Sequence, residues 1–372
     1  MNLAPKQSQE KMTERDYRSI KDRVNYSALK LLNDDREKFF RQLVLGEVGK
    51  EKQSVSITMG SMMHSLLSGI KEDFDTKFHV SQIIPPSETT HMGMLIDALY
   101  SRYMQSVNEF HEQQDSFKVI FNDALQKVKY DASGQQVTFK KAKDDAAILA
   151  MFEGTNNELY FKELIENCDK TTVTIPMIEK AERLVQKVKD HPVTGMYANC
   201  YNGQDDGLIE VHNELPILFD IGELKCKCLP DKLIINHGES VVEPLDWKTT
   251  WVASESIEGV YTKYGYYLQA AFYNLGIKEW MKQNNLGNYT LEPIKFVFCD
   301  TGGFSDPFIL KLSQDDLERS MRGFKIRGYR YKGVERLLEE LQHHLSTGNW
   351  TSSYEEYKNK SVISLNLQYG SR

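Results

Sequence analysis

Two hydrophobic periods divide the chain. Up to about residue 205 apolar residues recur at helical spacing, and beyond it they mostly alternate with polar ones. "NYSALKLLNDDREKFFRQLVLGE" reads as a helix, with Ser27 as a plausible N-cap and Leu29, Leu32, Phe39, Phe40 and Leu43 on one side. "SITMGSMMHSLLSGI" predicts a second helix ending near Gly69. "HMGMLIDALYSRYMQSVNEF" and "DSFKVIFNDALQKV" are helical by period, whereas "YDASGQQVTFKKAKDDAAILAMFEG" starts like a hairpin and continues as a helix. In "TVTIPMIEKAERLVQKVKDHPVTGMY", Ile178, Ala181, Leu184, Val185 and Val188 form one stripe, Thr174 could cap it, and His191-Pro192 stops it.

Past residue 205, "GLIEVHNELPILFDI", "GELKCKCLPDKLIIN" and "ESVVEPLDWKTT" predict three successive strands in an antiparallel meander. A long amphipathic helix, "GVYTKYGYYLQAAFYNLGIKEWMKQ", comes next. The strands "EPIKFVFCD" and "PFILKL" follow, and the end, "SQDDLERSMRGF" to "VERLLEELQHHL", is helical. This order predicts an α/β fold: one core with a central mixed sheet flanked by helices, plus a mainly helical insertion over 71–175. Residues 1–24, rich in charge and poor in large apolar side chains, are expected to be a mobile arm. Residues 25–346 would form the single domain, with its sheet and the helix that follows in 205–312, and 347–372 a polar tail.

Composition narrows the class. With 372 residues, 40% of them hydrophobic and 11% aromatic, the chain can fold around one large core or two modest ones. No run approaches 18 apolar residues and the first residues are polar, so a soluble, non-secreted protein with no membrane partner is expected. The five cysteines (Cys168, Cys200, Cys226, Cys228, Cys299) form no CxxC pair and read as reduced thiols, with neither a disulfide frame nor a zinc site. A net charge of −7 rules out a basic field over the whole protein, so any contact with nucleic acid needs a local patch or lined channel. The best such patch interleaves Arg319, Arg322, Lys325, Arg327, Arg330 and Lys332 with Phe324, Tyr329 and Tyr331; a plain solvated basic loop is the competing reading.

Candidate chemistry centres on "EPLDWKTT". In a strand Asp246 and Lys248 project from the same face, about 7 Å apart, which suits either a charge pair or half of a metal site. Asp231 stands fifteen residues earlier, at the end of the preceding predicted strand, in "LPDKL". Gln269 and Tyr273, four apart, share a face of the following helix, with plain core packing the competing reading for Tyr273. His64 lies on the early helix "GSMMHSLL". Two carboxylates from adjacent strands make a hard-oxygen cradle for Mg²⁺ or Mn²⁺, and a nearby Lys could hold or activate an attacking water. Glu210 and Glu214 are each open to two readings, a solvated strand face or an active-site acid.

The series His64, Pro230-Asp231, Asp246-Trp247-Lys248 and Gln269-xxx-Tyr273 resembles the PD-(D/E)XK nuclease superfamily. It looks most like the exodeoxyribonuclease VIII (RecE) and RecB-like phage exonuclease branch, with "YSALKLL", "VKDHPVTGMY" and "FVFCD" also matching. The resemblance implies a restriction-endonuclease-like core. It implies metal ligation by His64, Asp231, Asp246 and the backbone carbonyl of Trp247, with Glu210 a weaker candidate. Lys248 would be the catalytic lysine, and Gln269 and Tyr273 would complete the site. The implied cofactor is Mg²⁺, with Mn²⁺ tolerated. An iron–sulfur cluster is not expected, because no cysteine follows Cys299.

The implied activity is a DNA exonuclease on linear duplex ends, working in phage-type recombination or repair. Such a protein would be a homo-oligomer, partnered by a single-strand annealing protein, in the cytoplasm of a bacterial host and encoded by a phage or prophage. The alternatives are a structure-selective or restriction-type endonuclease on the same core, and a catalytically silent DNA-binding or assembly protein. The intact set of His64, both aspartates and Lys248 counts against the last.

Overall fold

A computed structural model of the chain describes residues 12–47, 55–69, 71–110, 116–142, 144–200 and 207–362. Twelve strands appear among them: β1 (Phe78–Ser81), β2 (Thr171–Thr174), β3 (Ile209–Asn213), β4 (Ile217–Ile221), β5 (Leu224–Cys228), β6 (Lys232–Asn236), β7 (Val241–Thr250), β8 (Thr290–Leu291), β9 (Lys295–Asp300), β10 (Phe308–Lys311), β11 (Gly323–Ile326) and β12 (Tyr329–Lys332). The central sheet runs β10-β9-β7-β6-β3, with β8 beside β7. It is mixed: β7 lies parallel to β9 and β8, and the other pairings are antiparallel. The expected class, a mixed sheet between helices with a helical insertion, is what the structure shows.

Alternation along β7 sends its side chains to two separate cores. Leu245 and Trp247 pack with Met59, Met63 and Val188 from the helices Val55–Ser68 and Ile175–Asp190. Val242 faces the opposite core with Leu268, Phe272, Phe296 and Phe298, built around the helix Tyr266–Gln283. Trp247 is therefore buried by its ring, while Asp246 and Lys248 point to the other side of the strand.

The expected three-strand meander is five strands. The chain leaves the sheet after β3, makes the separate hairpin β4–β5, and re-enters at β6, which pairs with β3. Pro216 and Pro230 bracket that excursion, and neither can donate to a ladder. At its root Glu214 takes φ +48°, its N–H donating to the Asp231 carbonyl at 2.9 Å. The hairpin lies tight on the helix Tyr266–Gln283 at Gly276. A Cβ there would come within 2.6 Å of Cys228 Sγ and 2.7 Å of Phe219.

Other boundaries also move. Of the arm expected over 1–24, residues 1–11 lie outside the described residues. The rest contains the capped helix Glu14–Ser19, whose Tyr17 is buried and whose Tyr17 carbonyl accepts from Lys227 at 2.8 Å. Of the tail expected over 347–372, residues 363–372 lie outside the described residues. Before them, Trp350 stacks on Phe39 and Phe40, and Arg336 pairs with Glu355 at 2.6 Å. Between the helices Gln314–Arg322 and Val334–Thr347 the chain is not helical but forms the hairpin β11–β12. The segment 71–175 carries its own core, in which Leu95, Leu99, Phe121, Phe152 and Phe161 meet from helices that include His91–Phe110 and Phe117–Lys129. Among the described residues no helix is long and apolar enough to cross a membrane.

Candidate active site

His64, Asp231, Asp246, Lys248 and Gln269 come together where β6 begins and β7 passes it. Asp231 immediately precedes β6, and its Oδ2 accepts from the Trp247 N–H at 2.7 Å, which ties the loop to β7. The same oxygen contacts His64 Nε2. His64 reaches it from the middle of the helix Val55–Ser68, whose Met59, Met62, Met63 and Leu67 are buried beneath it. Close approach of that helix to β7 depends on Gly60, where a Cβ would stand 3.2 Å from Thr249 Oγ1.

Asp246 is almost fully enclosed. Its Oδ2 meets the Lys248 ammonium, and its Oδ1 accepts from Gln269 Nε2. Lys248 lies over the Tyr266 ring, with Nζ 5.1 Å from the centroid, and 5.8 Å from that of Phe296. Tyr273, one helical turn beyond Gln269, donates to the Leu229 carbonyl at 3.2 Å and sets its ring edge-on to Tyr26 at 5.9 Å. Gln269 therefore touches the acid cluster directly, whereas Tyr273 holds the backbone just before Pro230-Asp231.

Crowding perturbs these groups in opposite directions. Burial, then the charge of Asp231, raises the Asp246 carboxyl to about 6 against the pull of Lys248 and His64. Burial disfavours a charged His64, but the charge and hydrogen bond of Asp231, joined by Glu214 and Asp246, push it up to about 10. Lys248 is likewise buried, yet Asp246 raises it above the ordinary lysine range. Several perturbed groups meeting in one buried cluster make it a candidate functional site.

Glu210 is not part of this cluster. Its carboxylate reaches His212 Nε2 at 2.8 Å and His237 Nε2 at 3.2 Å, and its Cα partner on β6 is Ile235. The acid brought to the histidine is Glu214, 3.5 Å from His64 Nδ1. Glu214 in turn lies 3.5 Å from Lys77 and hydrogen-bonds Glu14 of the first helix, which also pairs with Lys77. Burial resists charge on Glu14, but Glu214, Lys77 and Arg18 bring its carboxyl down to about 2, while Glu214, buried beside it, is raised. Sequence periodicity could not find Glu14, which pairs across 200 residues of chain.

The basic residues sit apart from the acid cluster. Arg319 and Arg322 end the helix Gln314–Arg322, while Lys325 and Arg330 face each other across β11–β12; all four are exposed. Arg327 lies 3.9 Å from Glu258, and Lys332 pairs with the buried Glu340 at 3.0 Å. Phe324 and Tyr331 stack on each other and pack against Tyr267, next in chain to the Tyr266 that Lys248 covers. Two of the three interleaved aromatics therefore belong to the core; Tyr329 is exposed.

As the side chains stand, no three His, Cys, Asp or Glu among the described residues surround a common point that an ion would take. The donor chemistry nevertheless fits a divalent cation. Two buried carboxylates repel one another, Gln269 Oε1 is buried with no donor, and Asp246 Oδ2 faces only the Lys248 ammonium. A cation between the aspartates would relieve that repulsion and displace the proton held by His64.

Fold and site thus define an α/β protein with a buried histidine–carboxylate–lysine cluster on the central strands β6 and β7 of a mixed sheet. No family model and no curated protein matches the chain. Among solved structures, a candidate exonuclease from Eubacterium rectale aligns over 95% of this chain and 88% of its own, at 12% identity and a TM-score of 0.44. Protein VC1899 from Vibrio cholerae aligns over 80% of this chain at 12% identity and a TM-score of 0.17, and the chain spans 57% of its length.

Proposed function

We propose that the chain is a metal-dependent deoxyribonuclease that hydrolyses DNA phosphodiesters. The observation that supports it best is the meeting of Asp231, just before β6, and Asp246, on the neighbouring β7, with His64 on one side and Lys248 on the other. His64, Asp231, Asp246 and the Trp247 carbonyl are the set that would hold Mg²⁺ or Mn²⁺. Such an ion supplies Lewis acidity at the phosphoryl group and lowers the pKa of a bound water. The chain's own part is to place and polarise. Lys248, clamped by Asp246 and the Tyr266 ring, presents a fixed positive charge to the attacking water and the phosphate oxygens. Gln269 fixes the rotamer of Asp246, and Tyr273 fixes the backbone that delivers Asp231.

Action on linear duplex ends, within recombination or repair and beside a single-strand annealing protein, follows from the resemblance of the His, PD, DxK and QxxxY series to the RecE and RecB-like branch. So do a ring-forming homo-oligomer and a phage or prophage origin in a bacterial cytoplasm. The test is incubation with linear and closed-circular duplex DNA in Mg²⁺, Mn²⁺ or EDTA. Loss of linear DNA alone, dependent on the metal and abolished by Asp246→Ala, is expected. Nicked circles would replace the exonuclease with an endonuclease, and unchanged cleavage by Asp246→Ala would remove the site from the chemistry.

A further inference from the structure

Two aromatic side chains stand in water at one end of the central sheet, directly past the candidate site. β7 and β9 run parallel in a register that pairs Lys248 with Phe298 and Thr250 with Asp300. The next residue after β7 is Trp251, 78% exposed, and the turn after β9 carries Phe304, 95% exposed. Both strands therefore leave the sheet at the same end, and the Thr301 N–H still donates to the Thr250 carbonyl at 2.8 Å.

Phe304 does not owe its exposure to a loose loop. The Asp300 carboxylate accepts from the N–H groups of Gly302 at 2.8 Å, Phe304 at 3.0 Å and Ser305 at 2.9 Å. Lys187 donates to the Ser305 carbonyl at 2.7 Å, which anchors the turn to the helix behind it. On the other side, the Thr250 hydroxyl accepts from the Val252 N–H at 3.0 Å, bracing the backbone around Trp251. Single exposed apolar residues are ordinary, but two aromatics held outward by braced turns at paired strand ends form a local surface. Trp251 follows Lys248 by three residues, roughly 10 Å along an extended strand. Continued strand alternation would turn the indole away from Lys248, but Trp251 lies past the end of β7 in the turn braced by Thr250. There a base about three stacking steps of roughly 3.4 Å from a phosphate at β7 comes level with it.

We infer that Trp251 and Phe304 are a base-stacking platform for unpaired nucleotides of the strand whose phosphodiester enters the candidate site. The inference rests on the proposed nuclease reading and adds what holds the strand next to the cut. The occupant is a nucleobase and not a protein side chain because β7, which carries Asp246 and Lys248 of the proposed phosphodiester site, leads directly into Trp251. A cation also sits beside an exposed aromatic next to the candidate site: Tyr264 stacks on the Tyr266 ring that Lys248 covers, and Lys263 lies 5.5 Å from the Tyr264 ring. Aromatic faces next to positive charge bind single strands by stacking, with little regard to sequence.

The test compares a single-stranded oligonucleotide with an abasic strand of the same length, both bound in EDTA so that no cleavage occurs. The wild-type protein should prefer the intact strand, and Trp251→Ala and Phe304→Ala should each lower the ratio of intact to abasic affinity roughly tenfold. Trp251→Tyr and Phe304→Tyr should restore most of it, and both sites are exposed enough that folding is preserved. Equal binding of the two strands by the wild type, or an unchanged ratio in both alanine variants, overturns the platform. Metal-dependent cleavage and its loss in Asp246→Ala are measured separately, so the platform can fail while the nuclease reading stands.

Discussion

Glu214 Oε1 lies 3.5 Å from His64 Nδ1, while the other ring nitrogen of that histidine meets Asp231. One imidazole thus bridges a carboxylate inside the cluster and a carboxylate behind it. Glu214 is brought there by a left-handed backbone, φ +48°, at the point where the chain leaves β3. A metal-binding histidine needs its second nitrogen held, and loss of such a partner commonly costs ten- to a hundred-fold in metal affinity. If His64 is a ligand of the proposed cation, Glu214→Gln should weaken Mn²⁺ binding by at least about tenfold in calorimetric titration. Unchanged affinity would reduce Glu214 to a packing residue.

Lys248 gives a second prediction. Its ammonium is buried between Asp246 and two rings, so on the proposed reading replacing it removes charge from the reaction centre and leaves the exposed cations outside it unchanged. Lys248→Ala should lower cleavage of linear DNA by roughly two or more orders of magnitude, the range typical for a positioned proton-transfer or charge-stabilising group. Affinity for DNA in EDTA should change little. A variant that still cuts at close to the wild-type rate removes the lysine from the mechanism.

What the sequence revealed and what it hid divide along contact range. Local periodicity carried the strand with Asp246 and Lys248 on one face and the helix with Gln269 and Tyr273 on another, and the structure brings all four near Asp231. The break of the meander was concealed because β3 and β4, like β5 and β6, form continuous alternating runs on paper. Only the prolines and the positive φ of Glu214 split them. Glu210 and Glu214 looked alike as strand acids, and the turn between β3 and β4 decides which one reaches the histidine. The docked residues 12–24 were missed for another reason: Tyr17, Val24 and Glu14 each find partners some 200 residues away, and short charged segments carry no periodic sign of such docking.

The Gly276 contact makes a stability prediction. An alanine methyl would press on Cys228 Sγ and the Phe219 ring, both buried, so β4–β5 would have to move off the helix that positions Gln269 and Tyr273. Overpacking of this kind costs typically 1–3 kcal/mol, more than the small gain in helix propensity from Gly to Ala returns. Gly276→Ala should lower the urea midpoint without changing the slope of the transition. A raised or unchanged midpoint would mean that the hairpin gives way freely.

The exposed cations of the helix Gln314–Arg322 and of β11–β12 can be tested by salt. Each phosphate neutralised contributes about −0.9 to the slope of log affinity against log salt for duplex DNA. If Arg319, Lys325 and Arg330 touch the backbone, each change to Ala should flatten that slope by about one. Lys332, already paired with Glu340, should have the smaller effect. Slopes that match the wild type for all of them would leave this surface outside the DNA contact.

Asp300 links acidity to the turn that carries Phe304. Burial alone would raise its carboxyl, but the N–H groups of Ser305, Gly302 and Phe304, with Lys187 nearby, hold it below the ordinary carboxylate range. The folded state therefore binds the proton less readily than the unfolded chain, whose aspartate titrates near 3.9. The stabilising contribution is complete above that value and fades as pH falls through the lower folded pKa. Asp300→Asn lacks the charge but retains one accepting oxygen, so it should be less stable than the wild type at pH 7. The gap in urea midpoint should narrow as the pH is lowered from about 4 towards 2, because the wild type alone loses an ionised acceptor. A gap of constant size across that interval would show that the turn is held by geometry and not by the charge.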